Sequence, residues 1–250
     1  MPTRPPPSDP LARLRAEALR AALGVALGVA ACAWWLGAAT QPMLAALALL
    51  TFALGTVPVI VGLRTHLPRP RFGAANVVTL GRLGAVALLA ASIAHLDAAA
   101  GWTAFTIATI AALADGVDGP LARAAGLDGP YGARFDMETD AALVMVLAAL
   151  VWRTDRAGAW VLASGAMRYV FVLAAYMWPW LNAPLPFSQR RRLVCALQIG
   201  ALLACLAPAV PAHWATAIAA MGLMTLAASF AVDVVGLHRR RRLAPGHPVV

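Results

Sequence analysis

Long apolar runs dominate this chain, and short polar or proline-rich breaks separate them. Each run is about 17 to 25 residues long, and an α-helix of about 20 apolar residues crosses the hydrocarbon core of a bilayer. Within lipid, a helix satisfies its backbone hydrogen bonds internally, whereas an open strand cannot. We therefore predict an all-α integral membrane protein with about eight spans. The predicted spans are residues 20–40, 43–63, 77–96, 101–122, 134–152, 157–180, 193–209 and 213–237.

The composition excludes an ordinary soluble domain. Of the 250 residues, 61% are hydrophobic and 12% are charged, whereas soluble domains contain about 25% charged residues. The formal net charge is +9, and all 20 basic residues are arginine. A basic chain can bind nucleic acid, but these arginines stand at the ends of apolar runs, where they contact lipid headgroups or fix the topology. We expect membrane lipids as partners and no nucleic acid.

The arginines also predict the topology, because short cytoplasmic loops are rich in them. With a cytoplasmic N-terminus, sixteen arginines fall in cytoplasmic segments, and two, Arg153 and Arg156, fall on the opposite side. We therefore expect both termini in the cytoplasm, and we expect the membrane to be the inner (cytoplasmic) membrane of a bacterium.

Acidic residues are concentrated in one segment, at the predicted cytoplasmic ends of the fourth and fifth spans. Six of the 11 lie between Asp115 and Asp140. An ionised aspartate at membrane depth costs at least about 2.5 kcal/mol, so a group of them requires compensating cations and a polar ligand. This segment is the predicted functional site. It contains the spaced pattern Asp115-x2-Asp118-Gly119-x2-Ala122-Arg123-x8-Gly132-x3-Asp136-x3-Asp140.

The spacing places the carboxylates on shared helix faces. At 100° per residue, Asp115 and Asp118 are about 60° apart around one helix, and Asp136 and Asp140 are about 40° apart around the next. The short connection makes these helices antiparallel neighbours, so the two pairs can face each other. Oxygen ligands in this arrangement suit a hard divalent ion, Mg²⁺ or Mn²⁺, and we expect two ions at the site and cytoplasmic access to it.

The other residues of the pattern fit a ligand that carries phosphate. Gly119 and Ala122 leave room beside their helix, and Gly132 allows close approach at the start of the next helix. The guanidinium of Arg123 can pair with phosphate through two parallel hydrogen bonds.

This pattern resembles the signature of the CDP-alcohol phosphotransferases, also called CDP-alcohol phosphatidyltransferases, which are membrane enzymes of phospholipid synthesis. All eight fixed positions of the signature are present. The resemblance implies a six-helix catalytic membrane domain over residues 72–237. Two extra transmembrane helices would occupy residues 21–71, after an N-terminal tail and interfacial amphipathic helix at residues 1–20. A basic C-terminal tail would occupy residues 238–250.

The resemblance also implies a role for each matched residue. Asp115, Asp118 and Asp136 would bind metal, while Asp140 would share a second metal and act as the catalytic base. Upstream, Asn76-x2-Thr79-x2-Arg82 is similar to the family's motif at the start of its first core helix, although Ala75 replaces the family's proline. Helix capping and snorkelling to the interface are the alternative explanation of that motif. The residues implied in CDP binding are Asn76, Thr79, Arg82, Asp118, Gly119, Ala122, Arg123 and Gly132.

The implied activity is transfer of a substituted phosphate from a CDP-linked alcohol, most often CDP-diacylglycerol, to the hydroxyl of a second alcohol, with release of CMP. Arg168 lies inside a predicted span. Similar family members hold the acceptor's phosphate with a basic residue near this position. The alternative is that Arg168 pairs with an acidic side chain. Arg190 is a second candidate for acceptor binding, or a topology determinant. The acceptor alcohol is left open. A homodimer is expected from the resemblance alone.

Two other function classes share some of these features. An ion or solute transporter also places carboxylates inside the membrane, but many transporters contain internal repeats, and the sequence shows no convincing repeat. A non-catalytic membrane scaffold is the other alternative. Release of CMP from CDP-diacylglycerol would separate the three classes.

Overall fold

A computed structural model of the chain describes residues 9–38, 41–69, 71–94, 100–124, 129–185 and 188–243. For residues 38, 100, 117–124 and 243 the description covers the backbone only. Residues 1–8 and 244–250, the outer parts of the two predicted terminal segments, therefore lie outside the described residues. The chain forms two compact units, Met1–Asp140 and Ala141–Val250.

The first unit is built from four complete helices and the beginning of a fifth. Helices α1, α2 and α3 pack against one another, and α4 packs along α3. The helices are α1 (Pro10–Ala33), α2 (Pro42–Gly62), α3 (Ala74–Ser92), α4 (Ala100–Ala124) and α5 (Pro130–Arg153), of which α5 continues into the second unit.

Local sequence sets the two ends of α1. The Asp9 carboxylate accepts a hydrogen bond from the Leu11 amide at 3.0 Å, and Pro10 follows at the first helical turn, where its missing amide donor is not needed. At the other end a short π-helical stretch contains Gly37 with φ of 116°, a conformation that glycine adopts at little cost. Helix α1 runs unbroken through residues 11–20, so the segment expected at the membrane interface is continuous with the first apolar run.

One apolar core joins α1, α2, α3 and α5 of the first unit. It includes Leu14 of α1, Phe52 of α2, Leu80 of α3 and Phe135 of α5. A second apolar cluster, around Val29 in the C-terminal half of α1, also joins α1, α2 and α3. The two N-terminal helices therefore pack directly on the helices that carry the predicted functional residues.

The second unit contains the rest of α5 and three more helices, α6 (Leu162–Met177), α7 (Gln189–Leu206) and α8 (Ala212–Leu243). Helix α7 packs along α8, and α6 also contacts α8. Arg156, in the α5–α6 connection, donates from Nε to the Cys205 carbonyl at 3.0 Å and from Nη2 to the Ala207 carbonyl at 2.5 Å. The first of these bonds satisfies a carbonyl group in the last turn of α7 that lacks a helical partner.

The predicted all-α membrane fold is confirmed. The described residues contain eight α-helices, four short 3₁₀ or π segments and no strand, and each α-helix overlaps one predicted apolar run. The number of membrane spans stays a prediction, because polar residues interrupt some helices, such as the aspartates of α5. Within the described part of the chain, five helices are long and apolar enough to cross a membrane: Pro10–Gly37, Pro42–His66, Ala74–Ser92, Ala159–Met177 and Ala212–Arg242.

Candidate active site

Arg82 is the centre of a buried polar cluster in the first unit. Its side chain is 1% exposed, and it lies near the middle of α3 beside the buried residues Leu83 and Val86. A guanidinium stays charged at physiological pH, and a buried charge is stable only when it is paired and hydrogen-bonded. Arg82 meets part of this requirement on α4, where its Nε donates to the Ala111 carbonyl at 3.2 Å.

Three aspartates from two other helices surround the same guanidinium. Nη1 lies 3.0 Å from Oδ1 of Asp115 on α4 and 2.5 Å from Oδ1 of Asp136 on α5. Nη2 donates to Oδ1 of Asp140, one turn beyond Asp136. Arg82 therefore joins α3 to both α4 and α5 at a single point.

The three aspartates also form a candidate metal site. One carboxylate oxygen from each lies within 4.8 Å of the other two, and the side chains of Asp115, Asp136 and Asp140 are 37%, 36% and 18% exposed. Three ionised carboxylates and one guanidinium give the cluster a net charge of −2, which a divalent cation would balance. Each carboxylate turns Oδ1 toward Arg82, and since a carboxylate has two oxygens, it can bind Arg82 and an oxygen-preferring cation together.

Comparison with known families agrees with this chemistry. The family model described as CDP-alcohol phosphatidyltransferase matches residues 72–232, which is more than half of the chain. The chain belongs to the CDP-alcohol phosphatidyltransferase family. No curated protein and no solved structure gives a significant match. The matched CDP-alcohol phosphatidyltransferase region begins just before α3, ends within α8 and contains Arg82 and the three clustered aspartates.

Family membership sets the broad chemistry of the protein. CDP-alcohol phosphatidyltransferases are membrane transferases that move a phosphate-bearing group to an alcohol, and the family implies a CDP-alcohol donor, an alcohol acceptor and a divalent metal. The three-aspartate cluster gives that metal a suitable set of ligands.

Three of the residues predicted to bind CDP lie close to the cluster along α3 and α5. Asn76 donates from Nδ2 to the Phe72 carbonyl at 2.5 Å, and Thr79 donates from Oγ1 to the Ala75 carbonyl at 3.1 Å. Both side chains are buried. A Cβ atom at Gly132 would lie only 3.3 Å from Oδ1 of Asn76, so the missing side chain lets Asn76 of α3 pack closely against α5. The role of these residues in CDP binding stays a prediction.

The rest of the predicted CDP-binding set lies on α4, where the structure describes the backbone alone. The α-helix continues through Ala124, so Asp118 is about one turn beyond Asp115. The side chains of these residues lie outside the described part of the chain: Asp118, Gly119, Ala122 and Arg123.

The two predicted acceptor-binding arginines lie in the second unit. Arg168 is half-buried on α6. Arg190, at the start of α7, donates to the Ser229 carbonyl at 2.8 Å and lies 2.5 Å from Oδ1 of Asp233, both on α8. Sequence reasoning assigned no role to Asp233, although an acidic residue inside an apolar run is expected to have a partner. Its link to Arg190 joins α7 to α8.

Replacing Arg82 with alanine in this CDP-alcohol phosphatidyltransferase should lower the free energy of unfolding by about 3–5 kcal/mol, because the three carboxylates lose a buried counter-charge. Added Mn²⁺ should raise the melting temperature of Arg82→Ala, since a cation that binds the carboxylates replaces part of the missing positive charge. Thermal melting in detergent with and without Mn²⁺ measures both effects. Arg20→Ala, an exposed arginine of α1, is the control, and an equal loss in the two variants would contradict the assignment.

Proposed function

We propose that this protein transfers the phosphatidyl group of CDP-diacylglycerol to the hydroxyl of an alcohol acceptor and releases CMP. The observation that carries the proposal is the convergence of Asp115, Asp136 and Asp140 on buried Arg82 in a chain of this family. A diphosphate donor brings negative charge to a site that is already negative, so transfer requires cations there. The proposed cofactor is Mg²⁺ or Mn²⁺, bound as two ions.

Asp115, Asp118 and Asp136 are the proposed metal ligands, with Asp140 as a shared ligand. When bound, the ions offset the charge of the diphosphate and stabilise CMP as the leaving group. The contribution of Arg82 precedes substrate binding, because its contacts at Oδ1 fix the orientation of the carboxylates. A site whose ligands are already held in place binds metal and substrate with little rearrangement.

Asp140 is the proposed catalytic base. It is the least exposed of the three aspartates and lies one turn farther along α5 than Asp136. Arg82 engages its Oδ1, and the second oxygen can take the proton of the acceptor hydroxyl as the acceptor oxygen attacks the β-phosphorus. The bond from the β-phosphorus to the CMP oxygen breaks as the new bond forms, and CMP leaves with the electron pair.

The proposed CDP pocket follows α3, α4 and the beginning of α5. Support comes from Gly132, whose missing side chain lets Asn76 of α3 approach the beginning of α5 closely. Thr79 and Arg82 continue the same helix toward the aspartates, one turn apart. The remaining members of the proposed pocket, all on α4, are Asp118, Gly119, Ala122 and Arg123.

Arg168 is the proposed contact for an anionic acceptor, with Arg190 as a second one. Replacing Arg168 with alanine should raise the KM for a phosphorylated acceptor about ten- to a hundredfold, because a charge-assisted hydrogen bond contributes about 1.5–3 kcal/mol. The KM for the CDP-alcohol should change much less. Initial rates with each substrate varied in turn measure the two constants.

The control for this prediction is Arg239→Ala, which removes an exposed arginine from the end of α8. An uncharged acceptor should be insensitive to Arg168→Ala, so the variant also reports the charge of the acceptor. Equal effects on the two KM values would show that Arg168 serves the fold instead.

The proposed function is tested by CMP release from CDP-diacylglycerol in liposomes that contain the purified protein and Mg²⁺ or Mn²⁺. A panel of acceptors should include glycerol 3-phosphate, inositol, inositol phosphate, serine and choline. CMP release that depends on both one acceptor and the metal is the expected result. Ion or solute flux across the liposome membrane without CMP release would instead establish a transporter. Protease protection of the termini tests the proposed cytoplasmic orientation of the site.

A further inference from the structure

Helices α1 and α2 precede the residues that the family match covers, so the family assignment gives them no role. They nevertheless share an apolar core with the helices that carry the active-site residues. Ala18 of α1 and Val59 of α2 belong to the same buried cluster as Leu83 of α3 and Tyr131 of α5. We call α1 and α2 together the N-terminal helix pair.

Two glycines bring the N-terminal helix pair against α3 beside Arg82. A Cβ atom at Gly84 of α3 would lie 2.8 Å from Cγ1 of Val25 on α1, and a Cβ atom at Gly55 of α2 would lie 3.0 Å from Cδ1 of Leu83. Small residues let membrane helices approach this closely. Because Leu83 and Gly84 directly follow Arg82, both contacts fix the part of α3 that carries the guanidinium.

The end of α2 is joined to the beginning of α5 by Tyr131. The buried hydroxyl of Tyr131 donates to the Val59 carbonyl at 2.9 Å. Val59 lies in the last turn of α2, where carbonyl groups lose their helical partners, and the Leu63 amide bonds to Ile60 instead. Tyr131 precedes Asp136 by about one and a half turns of α5. The hydrogen bond from Tyr131 to Val59 fixes the position of α5 along the axis of α2. It therefore determines where Asp136 and Asp140 of α5 lie relative to Arg82.

A second link joins α1 to the start of the matched domain. Oε2 of Glu17 accepts a hydrogen bond from the Phe72 amide at 3.0 Å, and the Phe72 carbonyl accepts one from Asn76. His66 donates from Nε2 to the carbonyl of Arg71, the residue before Phe72, at 2.9 Å, and the His66 ring packs on Tyr131. The segment between α2 and α3 is thus tied both to α1 and to α5.

We propose that the N-terminal helix pair positions the active site, by holding α3 and α5 at the separation at which their charged side chains meet. Tyr131 and Glu17 are its positioning residues. The inference rests on the proposed metal site at Asp115, Asp136 and Asp140, and it is independent of the choice of donor and acceptor. It gives the N-terminal helix pair a role in positioning the active site besides membrane anchoring.

The test uses the full-length protein in detergent, freed of metal with a chelator, and Mn²⁺ as the probe. Tyr131→Phe keeps the ring and removes the hydrogen bond to Val59. The Kd for Mn²⁺, measured from its electron paramagnetic resonance signal, should rise about tenfold, as it does when supporting contacts of metal ligands are lost. Turnover should fall at low Mn²⁺ and recover at saturating Mn²⁺, because the ligands themselves are intact.

Matched variants separate positioning from a general loss of stability. Tyr176→Phe removes a hydroxyl from an 81% exposed tyrosine and should leave the Kd for Mn²⁺ unchanged. Glu17→Ala should weaken Mn²⁺ binding, and Glu17→Gln, which keeps an acceptor for the Phe72 amide, should restore it. Lower melting temperatures with an unchanged Kd for Mn²⁺ in both Tyr131→Phe and Glu17→Ala would overturn the inference.

The same experiment distinguishes this inference from the proposed function. If the wild type binds Mn²⁺ through Asp136 but releases no CMP from CDP-diacylglycerol, the proposed reaction fails, and the Kd values of the variants still decide the role of the helix pair. If the wild type binds no Mn²⁺, the metal site and the positioning role fail together.

Discussion

Replacing Asp136 with asparagine should reduce CMP release by about 10⁴-fold or more, as expected when a central member of a catalytic group is removed. Asp136 contacts Arg82 at 2.5 Å and lies within 4.8 Å of the other two aspartates through its carboxylate. Asparagine keeps the size of the side chain but removes the negative charge that a divalent cation requires. Stabilisation of the protein by CDP-alcohol together with metal should disappear with activity, because metal, nucleotide and carboxylates form one charge-balanced group. Asp115→Asn should behave in the same way.

The matched control is Glu138→Gln, which removes one negative charge from the same helix, two residues from Asp136 and therefore on another face. Its rate of CMP release should stay close to that of the wild type. Melting temperatures with and without the CDP-alcohol and Mn²⁺ show whether each variant folds and binds. Wild-type turnover in Asp136→Asn would refute the metal-site assignment.

Asp140→Asn should lower kcat by about 10²- to 10⁴-fold, the usual contribution of a general base, while the affinity for the CDP-alcohol stays near the wild-type value. The base acts on the acceptor proton after the nucleotide has bound, so binding and turnover should separate in this variant. The contact between Asp140 and Arg82 adds a structural reason, because an asparagine oxygen can still accept from Nη2 and keep α5 in place.

Equilibrium binding of the CDP-alcohol to Asp140→Asn, with Asp136→Asn measured beside it, provides the test. The two variants should differ in nucleotide affinity and agree in their lack of turnover. A parallel loss of affinity and rate in Asp140→Asn would show that Asp140 serves mainly as a metal ligand and would place the base elsewhere.

The helices were largely predictable from the sequence, because burial in lipid requires long apolar runs. Each of the eight predicted runs overlaps an α-helix. Their ends were less predictable, as α1 shows: the amphipathic helix expected at residues 11–20 and the first apolar run form one continuous helix, which begins at Pro10 after the Asp9 cap. Local hydrogen bonds determine where a helix ends, whereas the apolar runs predict only which segments lie in the membrane.

The convergence of Asp115, Asp136 and Asp140 was also predictable, because helical periodicity sets which residues share a face. The position of Arg82 was not. Its partners Asp136 and Asp140 follow it by 54 and 58 residues, and no local pattern in the sequence determines that Arg82 meets them. Sequence reasoning connected Arg82 with CDP or with the membrane interface, and it gave no reason to place the guanidinium among the carboxylates.

The ion cluster around Arg82 has a consequence for the biogenesis of the protein. An arginine near the middle of an isolated helix costs about 2.5–3.5 kcal/mol to insert into a membrane, and α3 is synthesised before the aspartates of α4 and α5 that neutralise its charge. Helix α3 therefore gains its full stability in lipid when its two partner helices arrive. We expect α3, α4 and α5 to leave the translocon as one group, with the active site assembled as part of membrane insertion.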